Sequence, residues 1–97
     1  NNRNNSMEAI ILTIRYSRDA LKFLAKLDRK SVERIRNAIT GLTQTPPLGD
    51  IKIMQGYDDE RKRLRVGSWR IIYRYATEQK VEILFIIDIG NREDIYK

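Results

Sequence analysis

The stretch that most constrains the fold is residues 61–75, Arg-Lys-Arg-Leu-Arg-Val-Gly-Ser-Trp-Arg-Ile-Ile-Tyr-Arg-Tyr. Basic and mostly apolar side chains alternate over residues 61–66 and again over 69–75, and Gly67-Ser68 supplies a two-residue turn between them. That pattern predicts a β-hairpin. With this turn, Val66 lies opposite Trp69, Arg65 opposite Arg70, Arg63 opposite Ile72 and Arg61 opposite Arg74. Residues directly opposite share a face of an antiparallel pair. One face therefore collects Arg61, Arg63, Arg65, Arg70 and Arg74, and the other Leu64, Val66, Trp69, Ile71, Tyr73 and Tyr75. Like charges placed opposite each other destabilise a sheet. Two explanations of such a face stand side by side: a surface built to meet a polyanion, or a solvated outer face whose charges prevent edge-to-edge pairing.

A chain of 97 residues forms one modest core, which limits it to a single domain over residues 7–97. Lys+Arg 19 against Asp+Glu 13 leaves a net charge of +6. Such a balance favours nucleic acid or a strongly acidic protein as partner over a neutral small molecule. With Cys 0 and His 0, disulfides, thiolate chemistry, the usual zinc ligands and any Ser-His pair are all excluded. No apolar run approaches the roughly 18 residues of a membrane span, and no signal peptide precedes the domain, so a cytoplasmic protein without a membrane partner is expected.

Residues 1–6 are polar and Asn-rich directly ahead of Met7, as in an expression remnant. Residues 9–15 are a β-branched run that reads as a first strand. Ser17 fits an N-cap, with Asp19 in the first turn of a helix of about three turns whose apolar face is Leu21, Leu24, Ala25 and Leu27. Asp28 is a second cap, followed by Val32, Ile35, Ile39 and Leu42 at helical spacing, and Pro46-Pro47 stops that helix. The economical arrangement is two antiparallel helices.

Residues 48–60 read as a linker broken by Gly49 and Gly56. The linker ends in Tyr57-Asp58-Asp59-Glu60, a carboxylate cluster that fits a loop screening the arginines better than a cation site, so no metal is expected. After the hairpin, residues 77–80 form a polar turn. Residues 81–89 are apolar at all but two positions, which suits a central strand ended by Gly90. The expected fold is a small two-layer α+β domain in β-α-α-β-β-β order, two helices on one face of a mostly antiparallel four-stranded sheet.

Residues 63–73 (Arg-Leu-Arg-Val-Gly-Ser-Trp-Arg-Ile-Ile-Tyr), followed by residues 89–96 (Ile-Gly-Asn-Arg-Glu-Asp-Ile-Tyr), resemble the RelE/ParE superfamily of bacterial toxins. The likeness spans residues 7–97 and includes Leu27-Asp28 between the helices and the proline pair after them. It implies the toxin half of a type II toxin–antitoxin pair with the RelE-like microbial RNase fold. RelE-type members are ribosome-dependent endoribonucleases that cut mRNA in the ribosomal A site, whereas ParE-type members share the fold and poison DNA gyrase. The RelE-like branch is favoured, because the arginine face and Tyr96 occur together.

By position, the resemblance gives Arg63, with Arg61 or Lys62, as RNA-contacting, Arg70 as the arginine after the turn, Arg92 as the tail arginine and Tyr96 as the near-terminal tyrosine. The expected catalytic residues are Arg63, Arg70, Arg92 and Tyr96, and the expected RNA-binding residues are Arg61 and Lys62 together with Arg65 and Arg74 of the basic face. Asn91 departs from the family, which often has histidine or lysine there. Cleavage of this type is metal-independent and cofactor-free, since the substrate's own 2′-OH attacks the adjacent phosphate. Arginine holds its proton too tightly to be the base. Its planar donors suit the charge of the phosphorane. Tyr96 is the proton-transfer candidate, with an ordinary pKa of about 10 that neighbouring guanidinium charge would lower; stacking on an mRNA base is its other possible role. The implied partners are a cognate RelB-like antitoxin, the ribosome with bound mRNA, and operator DNA only through the antitoxin.

Overall fold

The computed structural model describes residues 12–91. The hairpin forms in the expected register. Strand β3 (Lys62–Val66) pairs antiparallel with β4 (Trp69–Glu78), with Val66 opposite Trp69, Arg65 opposite Arg70 and Arg63 opposite Ile72. Gly67 has a φ of 58°, the left-handed first position that a two-residue turn of the II′ class assigns to glycine. A Cβ there would also meet the Arg34 guanidinium at 3.2 Å.

The chain begins with β1 (Leu12–Tyr16), α1 (Arg18–Ala25) and α2 (Arg29–Gly41), and β5 (Val81–Asn91) follows the hairpin. Residues 9–11 of the expected first strand, and residues 1–6, lie outside the described residues. Ser17 and Asp28 cap the two helices, Ser17 Oγ accepting from Ala20 N at 3.0 Å and Asp28 accepting from Ser31 N at 3.3 Å and Ser31 Oγ at 2.6 Å. The first helix spans 8 residues rather than about three turns. It is also rotated from the expected face: Ala20 is fully buried, whereas Leu21 is 53% exposed. In α2, Ile35, Ile39 and the capping Leu42 are buried as their spacing predicts.

The sheet has five strands in the order β1-β5-β4-β3-β2, which corrects the expected four. The additional strand, β2 (Asp50–Ile53), falls inside the segment read as a linker and pairs antiparallel with the outer edge of β3. It is only 4 residues long, Asp-Ile-Lys-Ile, and is bounded by Gly49. So short an alternation gives no local signal, and the strand exists because β3 offers it a ladder. Gly49 has a φ of 125°, and a Cβ on it would lie 2.5 Å from Leu64 Cδ1, so the chain reaches β2 through a position closed to other residues. Among the described strands β1 and β5 pair in parallel and the other pairs are antiparallel.

Both helices contribute to one core with Leu64, Ile71, Tyr73, Leu84, Ile86 and Ile89. The arginines of the hairpin alternate with these residues and so lie on the sheet face turned away from the helices. β5 is interior, as its apolar run predicts, but Gly90 does not end it: Gly90 lies buried within the strand, opposite Arg70. The β4–β5 register shifts by one residue where Ile72 pairs with Asp88 and Tyr73 with Ile86. The extra residue, Ile87, is a bulge that reverses the alternation of the strand and turns Asp88 and Gly90 onto the arginine face. Its carbonyl accepts a 2.6 Å hydrogen bond from Ser17 Oγ, and the Ile86 carbonyl accepts from Ser17 N at 2.9 Å, which joins the α1 cap to the bulge.

The β4–β5 turn is shorter than the expected residues 77–80. Thr77 and Glu78 belong to β4, and Gln79-Lys80 alone turn the chain with φ values of 51° and 68°. These are the left-handed pair of a type I′ turn, occupied here by residues that pay a steric cost for it. Lys80→Gly is expected to raise stability by up to about 1 kcal/mol, read as a higher midpoint in urea with an unchanged slope. Tyr73 lies fully buried in the core and its hydroxyl finds no hydrogen-bond partner. Tyr73→Phe is therefore expected to leave stability unchanged or to raise it by roughly 1–2 kcal/mol, again by urea denaturation.

Candidate functional site

The candidate site is the helix-free face of the hairpin and the strands beside it. Its arginines are held by two aspartates from the side of β2. Asp50, at the start of β2 and opposite Arg65, accepts from Arg63 Nη2 at 3.3 Å and lies 3.9 Å from Arg65 Nη1. Asp59 accepts from Arg61 Nη2 at 2.7 Å and from Arg61 Nε at 3.0 Å, a bidentate pair. The same carboxylate lies 4.0 Å from Arg74 Nε. Asp59 thus screens the arginines, the role expected for the acidic cluster, while Asp50 was not foreseen. Among the described residues no three carboxylates or other ligating side chains gather into a metal-binding group.

Two of the arginines are buried. Arg63 is 8% exposed and Arg70 is 3% exposed, a placement rare for arginine and costly unless the charge is compensated. They come from adjacent strands at diagonal positions, since Arg63 faces Ile72 while Arg70 faces Arg65. Gly90, across from Arg70, brings no side chain to that part of the face. Arg65 and Arg74 are more open, and the Arg74 guanidinium lies over the Phe85 ring at 5.5 Å. Lys62 does not join them. It alternates onto the opposite face, with Nζ 5.8 Å from the centre of the Tyr75 ring. Arg92 and Tyr96 lie outside the described residues.

Aromatic groups flank the site. The Arg61 guanidinium stacks on Tyr57 at 4.3 Å, and Arg34 of α2 lies 5.7 Å from the Trp69 ring centre beside the hairpin turn. Tyr73 and Tyr75 belong to the other face, where they meet edge to face at 5.7 Å and Tyr75 donates to the Leu42 carbonyl at 2.8 Å. Burial raises the pKa of both phenols above the ordinary value, so neither is placed or tuned to move a proton.

The fold is shared with known proteins. Residues 14–96 match the model of the ParE toxin of the type II toxin–antitoxin system parDE. The chain belongs to the RelE/ParE family of type II toxin–antitoxin toxins. Among solved structures, a chain of the archaeal RelE–RelB complex from Pyrococcus horikoshii superposes with a TM-score of 0.62 at 20% identity, covering 84% of this chain and 94% of that one. The YoeB/ParE toxin from Agrobacterium tumefaciens gives a TM-score of 0.68 at 20% identity, covering 82% and 98%. The isolated Escherichia coli RelE toxin gives 0.60 at 23% identity, covering 87% and 89%. At these identities the likeness establishes the fold. No curated protein sequence matches the chain significantly. Among the described residues no helix is long and apolar enough to cross a membrane.

The Arg61 hydrogen bonds lower the pKa of the Asp59 carboxyl, against a smaller opposing effect of desolvation. A carboxyl whose folded pKa lies below its unfolded value adds stability above the unfolded pKa, near 3.9, and that stability is lost as the pH falls through the folded value. Asp59→Asn is therefore expected to weaken the protein near neutral pH and to flatten its acid denaturation below about pH 4. Urea denaturation of both proteins at a series of pH values checks this.

Proposed function

We propose that this toxin is a ribosome-dependent mRNA endoribonuclease. The observation that carries the proposal is the collection of Arg61, Arg63, Arg65, Arg70 and Arg74 on the one sheet face that the helices leave open. A buried arginine is pre-positioned and poorly solvated, so its donors act on a developing phosphate charge without reorganising. In the proposed reaction the 2′-oxygen forms a bond to phosphorus as the bond from phosphorus to the 5′-oxygen breaks. A base accepts the 2′-OH proton, and an acid returns one to the leaving oxygen. The products are a 2′,3′-cyclic phosphate and a 5′-hydroxyl.

Arg63, Arg70 and Arg92 supply donors to the phosphorane, and Tyr96 is the proton-transfer group. Arg61, Arg65 and Arg74 hold the RNA backbone. Asp50 and Asp59 keep the guanidinium groups in place before substrate arrives and give up part of their hydrogen bonding to phosphate afterwards. The protein partner is a RelB-like antitoxin, whose acidity would complement the +6 charge.

The second reading is a ParE-like toxin that binds and poisons DNA gyrase without nuclease activity. The matched family model is that of the ParE toxin, which favours it. The two readings separate in a cell-free translation extract with a defined mRNA, comparing the wild type with Arg92→Ala and Tyr96→Phe and mapping cuts by primer extension. Cuts are expected only on translated mRNA, and each substitution is expected to reduce cutting by roughly 100-fold or more while circular dichroism is retained. Intact mRNA with normal translation would overturn the nuclease reading, and inhibition of gyrase supercoiling would then support the second.

A further inference from the structure

A cavity of about 340 Å³ opens beside the arginine face at the sheet edge, lined by Lys52, Ile53, Met54, Gln55, Tyr57 and Arg63. Its size is at the lower end of the roughly 300–1,000 Å³ found for small-molecule sites, enough for one nucleotide and too small for a run of them. Arg63 is common to the cavity and the arginine face. Although it is nine-tenths buried, its Nε finds no hydrogen-bond partner. A buried donor left without a partner costs stability, and it points to a ligand that supplies one.

The remaining lining is that of a base pocket. Tyr57 is 49% exposed, and its ring is fixed by the Arg61 guanidinium stacked on it at 4.3 Å. Asp59 locks that guanidinium in its bidentate pair, so the ring is pre-positioned. Ile53 is 61% exposed and, with Met54, adds apolar area to the lining. The Gln55 amide carries both donors and an acceptor, as the edge of a base requires. Lys52, directly opposite Arg63 in the β2–β3 pair, adds a second cation on the same face.

We propose that this cavity seats one nucleotide of the substrate RNA, its base against Tyr57 and its phosphate on Lys52 and Arg63. It lies next to the arginine face, so it receives the nucleotide adjacent to the one being cut and reads its identity. This inference rests on the RNA-cutting function above, but its test does not need cleavage.

The probe is a 2′-O-methyl tetranucleotide, which cannot be cut, carrying one 2-aminopurine whose fluorescence falls on stacking. Quenching by the wild-type protein is expected, with affinity roughly ten- to hundredfold weaker in Tyr57→Ala, as for loss of one stacked base. Tyr57→Trp is expected to restore both quenching and affinity, which a merely structural role would not do. Lys52→Ala is expected to weaken binding of every sequence alike and to lower the salt dependence. In the translation extract Tyr57→Ala is expected to lower cutting in step with its weaker binding and to relax the preference among bases. RNA binding and a cut pattern both indifferent to Tyr57→Ala would overturn the pocket, leave it to a protein partner, and leave the nuclease intact. A wild type that quenches the probe but cuts nothing would support the pocket and defeat the nuclease.

Discussion

The register of the β3–β4 hairpin is the constraint on which the rest of the molecule depends. Side chains alternate with a period of two, so a slip of one residue would carry Leu64, Ile71 and Tyr73 out of the core and the arginines into it. Burial of the apolar set therefore holds the charged set in place. The turn adds its own lock, because Gly67 takes a left-handed conformation that other residues rarely adopt, and a Cβ there would crowd the Arg34 guanidinium. The charged face owes its stability to the apolar face behind it.

Collecting cations on one face creates a repulsion that the fold has to relieve. Asp50 and Asp59, one at each end of the β2 segment and its following loop, each approach two guanidinium groups. The otherwise unremarkable β2 thereby acquires a purpose. It pairs with β3 and carries into the site the carboxylate that Arg63 needs in order to be buried. The loop after it delivers the second carboxylate and Tyr57 together. Charge compensation and the candidate base pocket are consequences of the same short segment.

What could be read from the sequence was whatever rests on local chemistry. Ser17 and Asp28 are side chains that cap their own helices, and the hairpin carries its turn and its alternation within fifteen consecutive residues (61–75). The features that escaped depend on distant partners. Strand β2 has four residues and only two apolar ones, and it is a strand only because β3 lies beside it. The bulge at Ile87 lies in a run of apolar residues in which no side chain marks the extra position. Ala20 and Leu21 are both apolar, so composition alone could not say which of them faced inward. In the site, the shared face of the arginines followed from alternation, whereas the burial of Arg63 and its pairing with Asp50, 13 residues away, did not.

The parallel pairing of β1 with β5 has a consequence for the order in which the molecule assembles. The β3–β4–β5 meander is built from neighbours joined by two-residue turns, and closing such short loops takes microseconds or less. The bond from Ser17 to Ile87, by contrast, spans 70 residues, and the entropy of bringing such distant segments together must be met before the contact gives anything back. The arginine strands can therefore be in register before the first strand and its helix dock against them. In a nascent chain β1 emerges well before β5, the last of the described strands, so that edge of the sheet closes only once β5 has been made.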